Sequence, residues 1–230
     1  MARQARRLIP GFPLHVMASG RAGLTIFPTD ESKLAYLAWL RDAAKEYQLA
    51  VHAYVLMPND LHLLVTPASE ESLARTMQSL GRRYTQFFNQ LNKFSGTIWA
   101  DRYKSSIVDP NSYLLICQKF IELNPVLSDL VSRPEDYPWS SYRIHVGKEP
   151  NYGLIDVPAF WNLGNTPFER QMNWSKFVEE PLSEVELKVI TNSITSGMPT
   201  GELGISSNLS SKMGNVRPSK ARGRPKRVQN

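Results

Sequence analysis

Asp60 and His62 interrupt one of the most apolar stretches of this 230-residue chain, Tyr54-Val55-Leu56-Met57-Pro58-Asn59-Asp60-Leu61-His62-Leu63-Leu64-Val65. The Pro58-Asn59 pair reads as a tight turn between two strands, and on the second strand positions 60 and 62 point to the same face. A carboxylate and an imidazole side by side on a rigid strand supply the lone pairs that a divalent cation needs. An ordinary reading stands beside this one: a turn aspartate after Asn59 and a core histidine bonded to backbone. Two residues make a short motif, and a functional pair also needs a third ligand and a reacting group nearby.

The elements that position this pair follow from hydropathy and punctuation. Leu14-His15-Val16-Met17-Ala18 reads as a first strand. Thr29-Asp30-Glu31 reads as a helix start with acids in the first turn, and Leu34, Leu37, Leu40 and Ala44 recur at helical spacing to about Tyr47. Residues 49–56 and 61–65 read as strands joined in a hairpin. A second amphipathic helix runs from near Glu70 to about Leu91, with Leu73, Met77, Leu80, Tyr84, Phe87 and Phe88 as its stripe. Ser106-Ile107-Val108 suggests a short strand. Pro110-Asn111-Ser112 then opens a helix to Leu123, with Asn124-Pro125 as its stop.

The order strand, helix, strand, strand, helix, strand is that of an α+β, ferredoxin-like split βαβ domain. Its antiparallel sheet carries helices on one face and leaves the other for ligand. We place this domain at 1–148, a small helical appendage at 149–205 (pieces at 158–163, 167–177 and 183–195), and a disordered basic tail at 206–230.

Charge separates body from tail. From Ser211 onward the basic residues are Lys212, Arg217, Lys220, Arg222, Arg224, Lys226 and Arg227, with no acid. With those set aside from the chain's 27, the body carries 20 basic against 21 acidic residues. The net charge of +6 therefore describes a basic tail on a nearly neutral body. No apolar run approaches a membrane span, and Leu8-Ile9 runs into Pro10-Gly11 without the apolar block of a signal peptide. A single cysteine, Cys117, excludes an internal disulfide and a cysteine-built zinc site. The expectation is a cytoplasmic, nucleoid-associated bacterial protein with no membrane partner.

The stretch from His52 through Val65 resembles the signature of the REP-associated tyrosine transposases, relatives of the single-tyrosine transposases of small insertion sequences. In that family the turn carries two histidines around one hydrophobic residue, the HUH motif. The resemblance continues through residues 10–16, Met77-Gln78-Ser79-Leu80-Gly81-Arg82-Arg83-Tyr84, residues 97–106, Tyr113-Leu114-Leu115-Ile116-Cys117, and Tyr137-Pro138-Trp139-Ser140-Ser141-Tyr142. Together these cover about residues 3–146. The order of several spaced motifs is far more specific than one match.

The resemblance implies a ferredoxin-like fold, a divalent metal (Mg²⁺ or Mn²⁺), and a tyrosine that attacks a phosphodiester of single-stranded or hairpin DNA, a repeat element. The product is a 5′-phosphotyrosine and a free 3′-hydroxyl. Tyr113 matches the family's catalytic tyrosine; read from residues alone it is also an ordinary packing tyrosine, with Tyr84, Tyr103 and Tyr137 as alternatives. Asp60 and His62 are the metal ligands so implied. Gln118 is the nearest polar side chain on the tyrosine helix to serve as a third, although five residues is about 140° of rotation. Here the chain departs from the family's pattern, because Asp60 stands in place of the first histidine. A carboxylate suits Mg²⁺ and Mn²⁺ better than imidazole, so the change is compatible with activity and shifts the site toward hard cations. The opposite outcome is a catalytically impaired DNA- or RNA-binding protein that regulates or marks repeat elements.

For DNA contact, Arg82-Arg83-Tyr84 and Arg102-Tyr103-Lys104 place cations beside aromatics, which suits an unpaired strand; a solvated helix face is the plainer reading. Arg222-Gly223-Arg224-Pro225-Lys226 resembles an AT-hook core, with a solubilising tail as its alternative. His15, His52 and His145 read as structural. Monomer and homodimer both stay open.

Overall fold

The computed structural model describes residues 8–201. Strand β1 (Leu14–Ser19) is followed by helix α1 (Asp30–Glu46), strands β2 (Leu49–Leu56) and β3 (Asp60–Pro67), helix α2 (Ser72–Asn92) and strand β4 (Lys104–Ile107). The sheet order is β2-β3-β1-β4, and each neighbouring pair is antiparallel. Two βαβ crossovers are thus interleaved, which is the ferredoxin-like α+β arrangement that the element order implied.

Local chemistry explains the two helices of this unit. Thr29 caps α1 in a reciprocal box with Ser32, and Asp30 and Glu31 sit at the positive end of the helix dipole. Helix α2 buries Leu73, Met77, Leu80, Tyr84 and Phe88 along one stripe. Both pack on the sheet face formed by Leu14 and Val16 of β1, Leu61, Leu63 and Val65 of β3, and Val51, Tyr54 and Leu56 of β2.

The second face departs from expectation. It is not left open: α3 (Leu114–Leu127), α5 (Pro158–Trp161), α6 (Pro167–Glu179) and α7 (Glu184–Ser196) cover much of it, with the one-turn α4 (Tyr142–His145) at their side. Ala53, Val55 and Leu64 of the sheet share a second core with Cys117, Phe120 and Ile121 of α3 and with Phe160, Trp174, Val178 and Ile190 beyond it. The sequence carried the reason. β2 and β3 are near-continuous apolar runs, which is the pattern of strands buried on both faces, and not the alternation of a half-exposed sheet. Residues 149–201 therefore pack against the sheet unit through this second core. The proposed tail, including Arg222 and Arg224, lies outside the described residues, as do residues 1–7.

Helix α3 also runs past its expected stop. Pro125 lies inside it, buried, and the helix continues to Leu127 before Ser128 caps it. Packing of Phe120, Ile121 and Leu123 holds α3 through the hydrogen bond that proline cannot make.

Glu122, fully buried on α3, ties the second layer together. It accepts from Ser141 Oγ at 2.6 Å, His145 Nδ1 at 2.5 Å and Trp174 Nε1 at 2.9 Å. Burial lowers the His145 pKa, but Glu122, together with Asp156 and the Ser141 backbone, outweighs it and leaves the value above the ordinary one. Removing one partner of such a cluster leaves buried polar groups uncompensated. Glu122→Ala is expected to cost about 3–5 kcal/mol of stability, measured by denaturant unfolding. Glu122→Gln, which keeps an acceptor for Trp174, should cost less.

Candidate metal centre

The Pro58-Asn59 turn fixes Asp60 by backbone contacts on all sides. The Met57 N–H donates to the Asp60 carbonyl at 2.8 Å, the Gly20 N–H to the Asn59 carbonyl at 2.7 Å, and the Phe27 N–H to the Pro58 carbonyl at 3.1 Å. Gly20 is needed here for its lack of a side chain. A Cβ on it would lie 2.4 Å from the Leu24 carbonyl oxygen and 3.3 Å from that of Asn59.

Register then assembles a polar row on the second face of the sheet. His62 stands opposite Met17, Asp60 opposite Ser19, and His15 opposite both Leu64 and Ser106, while Met17 also faces Lys104. Parity of side chains puts Asp60, His62, His15, Ser106 and Lys104 on one face. Asp60 is half-buried, His62, His15 and Ser106 are buried, and Lys104 is exposed.

His62 Nδ1 lies 2.8 Å from His15 Nε2, and its other nitrogen, Nε2, lies 3.6 Å from Asp60 Oδ1. The Phe120 ring of α3 stands edge-on to both imidazoles, at 5.9 Å and 6.0 Å between centroids. Burial in this apolar layer pushes the His62 pKa down to about 4 and that of His15 well below its ordinary value, so both rings are neutral at pH 7. Burial raises the Asp60 pKa, and its Oδ1 is buried without a hydrogen-bond partner.

These donors fit a divalent cation. An orphaned carboxylate oxygen faces a neutral imidazole nitrogen across 3.6 Å. Adjacent ligands on an octahedral Mg²⁺ stand about 3 Å apart, so a small rotation of Asp60 closes the difference. Among the described residues no three His, Cys, Asp or Glu side chains converge on one point. A cation here would take two protein ligands and complete its shell with water and phosphate, as Mg²⁺ sites commonly do.

Gln118 is not brought to this pair. Its side chain is buried beside His145, with Nε2 3.4 Å from His145 Nδ1, on the α3 face that carries Glu122. The helical rotation from Tyr113 takes it there. Cys117 is fully buried, and desolvation raises its thiol pKa.

Tyr113 caps α3: its N–H donates to the Asp109 carbonyl at 3.1 Å, and its carbonyl accepts from the Cys117 N–H at 2.8 Å. It is half-buried and makes no hydrogen bond to Asp60 or His62. Phe120, over the imidazoles, lies two turns along the same helix, about 10 Å in axial rise. The backbone of Gly201, at φ +84°, crosses close to the Tyr113 ring; a Cβ there would lie 2.8 Å from Cδ2.

The other tyrosines are engaged. Tyr84 is fully buried among Phe27, Tyr36 and Trp99 and donates to the Ile26 carbonyl at 2.5 Å, so it is a core residue unable to stack on a base. Tyr137 donates to the Leu56 carbonyl at 2.7 Å, and burial first, then the Asp60 charge, push its phenol up to about 12. Tyr103, half-buried, lines a cleft of about 970 Å³ with Trp99, Arg75, Met77, Arg102 and Ala18, on the α1–α2 side of the sheet, the face opposite Asp60. Arg82 and Arg83 are exposed on α2, and the Arg83 guanidinium lies 4.7 Å from the Trp39 ring centre. Arg102 and Lys104 are exposed at the start of β4.

Sequence reasoning set His15 aside as structural, yet it is the direct partner of His62. The signal was present: a polar residue inside an apolar strand, at the parity that faces the second layer.

Residues 13–124 match the model of the family described as transposase, IS200-like. The chain is also similar in fold to a solved structure of a REP-associated tyrosine transposase bound to a REP hairpin, at 16% identity and a TM-score of 0.54, over 68% of this chain and 90% of that one. A transposase structure from Deinococcus radiodurans R1 aligns at 21% identity over 53% of this chain and 96% of that one, with a TM-score of 0.38, too low to bear on the fold. No curated protein matches the sequence. Among the described residues no helix is long and apolar enough to cross a membrane.

Buried neutral imidazoles make the fold acid-sensitive. His62 has a folded pKa depressed from 6.5 to about 4, so between those values the unfolded chain takes up a proton that the native state refuses. Stability contributed at pH 7 is therefore lost as pH falls from about 6.5 toward 4, at up to about 1.4 kcal/mol per pH unit for each such group. His15 and His52 add to this slope in the same direction. Urea midpoints measured at pH 7, 6 and 5 should fall steadily, and His62→Gln should flatten the decline.

Proposed function

We propose that the protein is a metal-dependent single-strand DNA endonuclease and strand transferase that uses Tyr113 as nucleophile on hairpin or repeat-associated DNA. The observation that carries this reading is Asp60 Oδ1, buried without a hydrogen-bond partner beside a neutral His62, on the sheet face covered by α3, the helix that Tyr113 caps. A bound Mg²⁺ or Mn²⁺ would neutralise charge on the non-bridging phosphate oxygens and orient the phosphorus.

The chain's own residues supply the rest. The turn and Gly20 hold Asp60, and His15 and Phe120 hold His62. The Tyr113 oxygen forms a bond to phosphorus as the P–O3′ bond breaks; the phenol gives up its proton and the departing 3′ oxygen gains one. The product is a 5′-phosphotyrosine, and because the phosphodiester is exchanged for another ester, rejoining to a 3′-hydroxyl needs no nucleotide cofactor. A phenol of ordinary pKa near ~10 is a weak nucleophile at neutral pH, so electrophilic help at phosphorus matters more than basicity of the ring. Arg102 and Lys104 stand at the same end of the sheet, suited to backbone phosphates, and Trp99 and Tyr103 suit stacking of an unpaired base in the cleft. Arg82 and Arg83 offer a second exposed basic site. The solved relative bound to a REP hairpin supports hairpin DNA as the partner class.

A second reading rests on the Gly201 backbone packed against the Tyr113 ring. In it the protein binds such DNA without cutting it. One experiment separates the two. End-labelled single-stranded hairpin DNA is incubated with the protein and Mg²⁺ or Mn²⁺ and resolved under denaturing conditions. A covalent protein–DNA band that disappears in Tyr113→Phe and falls at least a hundredfold in His62→Ala is the expected result. Retained binding with no band in either metal would establish the binding-only protein.

A further inference from the structure

We propose that His15 is a positioning residue of the metal site, which sets the tautomer of His62 through a proton chain ending at Ser106. This rests on the reading of Asp60 and His62 as ligands. The two imidazoles are joined by one hydrogen bond, His62 Nδ1 to His15 Nε2 at 2.8 Å, and that bond holds one proton. With both rings neutral, only two arrangements satisfy it. In the first, each ring carries its proton on Nδ1. His62 then donates to His15, and His62 Nε2 presents a lone pair toward Asp60. In the second, each ring carries its proton on Nε2. His15 then donates to His62, and His62 Nε2–H points toward Asp60 and blocks a cation. The two arrangements hold the same number of protons, so passing between them releases none.

What decides between them lies at the far end of the chain. His15 Nδ1 is buried without a partner, and so is the hydroxyl of Ser106, the residue opposite His15 in the β1–β4 register. Facing residues on paired strands have Cβ atoms about 4.5–5.5 Å apart, a span that a modest serine rotation or one bridging water closes. As an acceptor for the His15 Nδ1–H, the Ser106 hydroxyl holds the first arrangement, the one that leaves His62 Nε2 free for a cation. Metal-ligating histidines commonly donate their second N–H to such a partner, which fixes ring and tautomer together. The usual partner is a carboxylate, a backbone carbonyl or water; here it is a second imidazole, itself clamped by Phe120.

The full chain labelled with ¹⁵N-histidine tests this. In wild-type protein with Mg²⁺, the ¹⁵N shifts should show both His62 and His15 protonated on Nδ1. His15→Phe fills the space but accepts no proton; it should weaken Mg²⁺ binding by calorimetry about 10- to 100-fold and leave His62 as a mixture of tautomers. His15→Gln, which restores an acceptor, should recover most of the affinity, and Ser106→Ala should shift the His15 tautomer with a smaller loss. A purely structural histidine would lower the melting temperature of these variants and leave affinity and tautomer unchanged. Mg²⁺ binding by His15→Phe within twofold of wild type overturns the proposal, as does a wild-type loaded state with His62 protonated on Nε2. Should His15→Phe fail to fold, the wild-type shifts alone decide. Wild-type protein that binds no Mg²⁺, or binds it equally well as His62→Ala, instead removes the ligand assignment itself.

Discussion

The structure depends on a polar row placed where the sheet is buried on both sides. Asp60, His62, His15 and Ser106 lie on the face that α3 covers, flanked by Ala53, Val55, Leu64 and Phe120. Burial there has two consequences of opposite sign. It keeps the imidazoles neutral and able to coordinate, and it leaves the Asp60 carboxylate short of a partner. A carboxylate oxygen buried without a partner is costly unless a cation or proton meets it. The same desolvation that weakens the fold in acid thus suits these donors to the cation proposed for them.

The rest of the architecture maintains that row. The first core, under α1 and α2, fixes the sheet and the close approach at Gly20. The second, from α3 to α7, brings Phe120 over the imidazoles and holds Tyr113 at the start of α3. Glu122 anchors this layer through Ser141, His145 and Trp174, so the segment beyond residue 148 contributes to the frame that positions the tyrosine helix.

Much of this was legible in the sequence, and the failures are instructive. The capping signal at Thr29, the Pro58-Asn59 turn and the stripe of α2 each specify local structure by local chemistry, and the split βαβ order follows from them. Asp60 and His62 stood out because strand parity is read directly from spacing. What spacing could not supply was pairing across strands. His15 meets His62, and Ser106 faces His15, only through register, which spacing along one strand does not show. Gln118 was offered as a ligand because spacing does not show where α3 turns it; packing puts it beside His145 and the Glu122 cluster. Tyr84, already read in the α2 stripe, lies in the aromatic core, and burial removes the base-stacking role considered beside it. The departure from HUH sharpens in the same light. Asp60 offers an unpartnered oxygen, which is what a hard cation requires of the position.

The central claim is that Asp60 and His62 hold a divalent cation. Crystals of the full chain soaked in Mn²⁺ test it directly, by anomalous difference density at the manganese edge. The account predicts one peak within about 2.3 Å of both Asp60 Oδ1 and His62 Nε2, lost in His62→Ala. A map without that peak, in crystals where manganese is seen elsewhere, would contradict it.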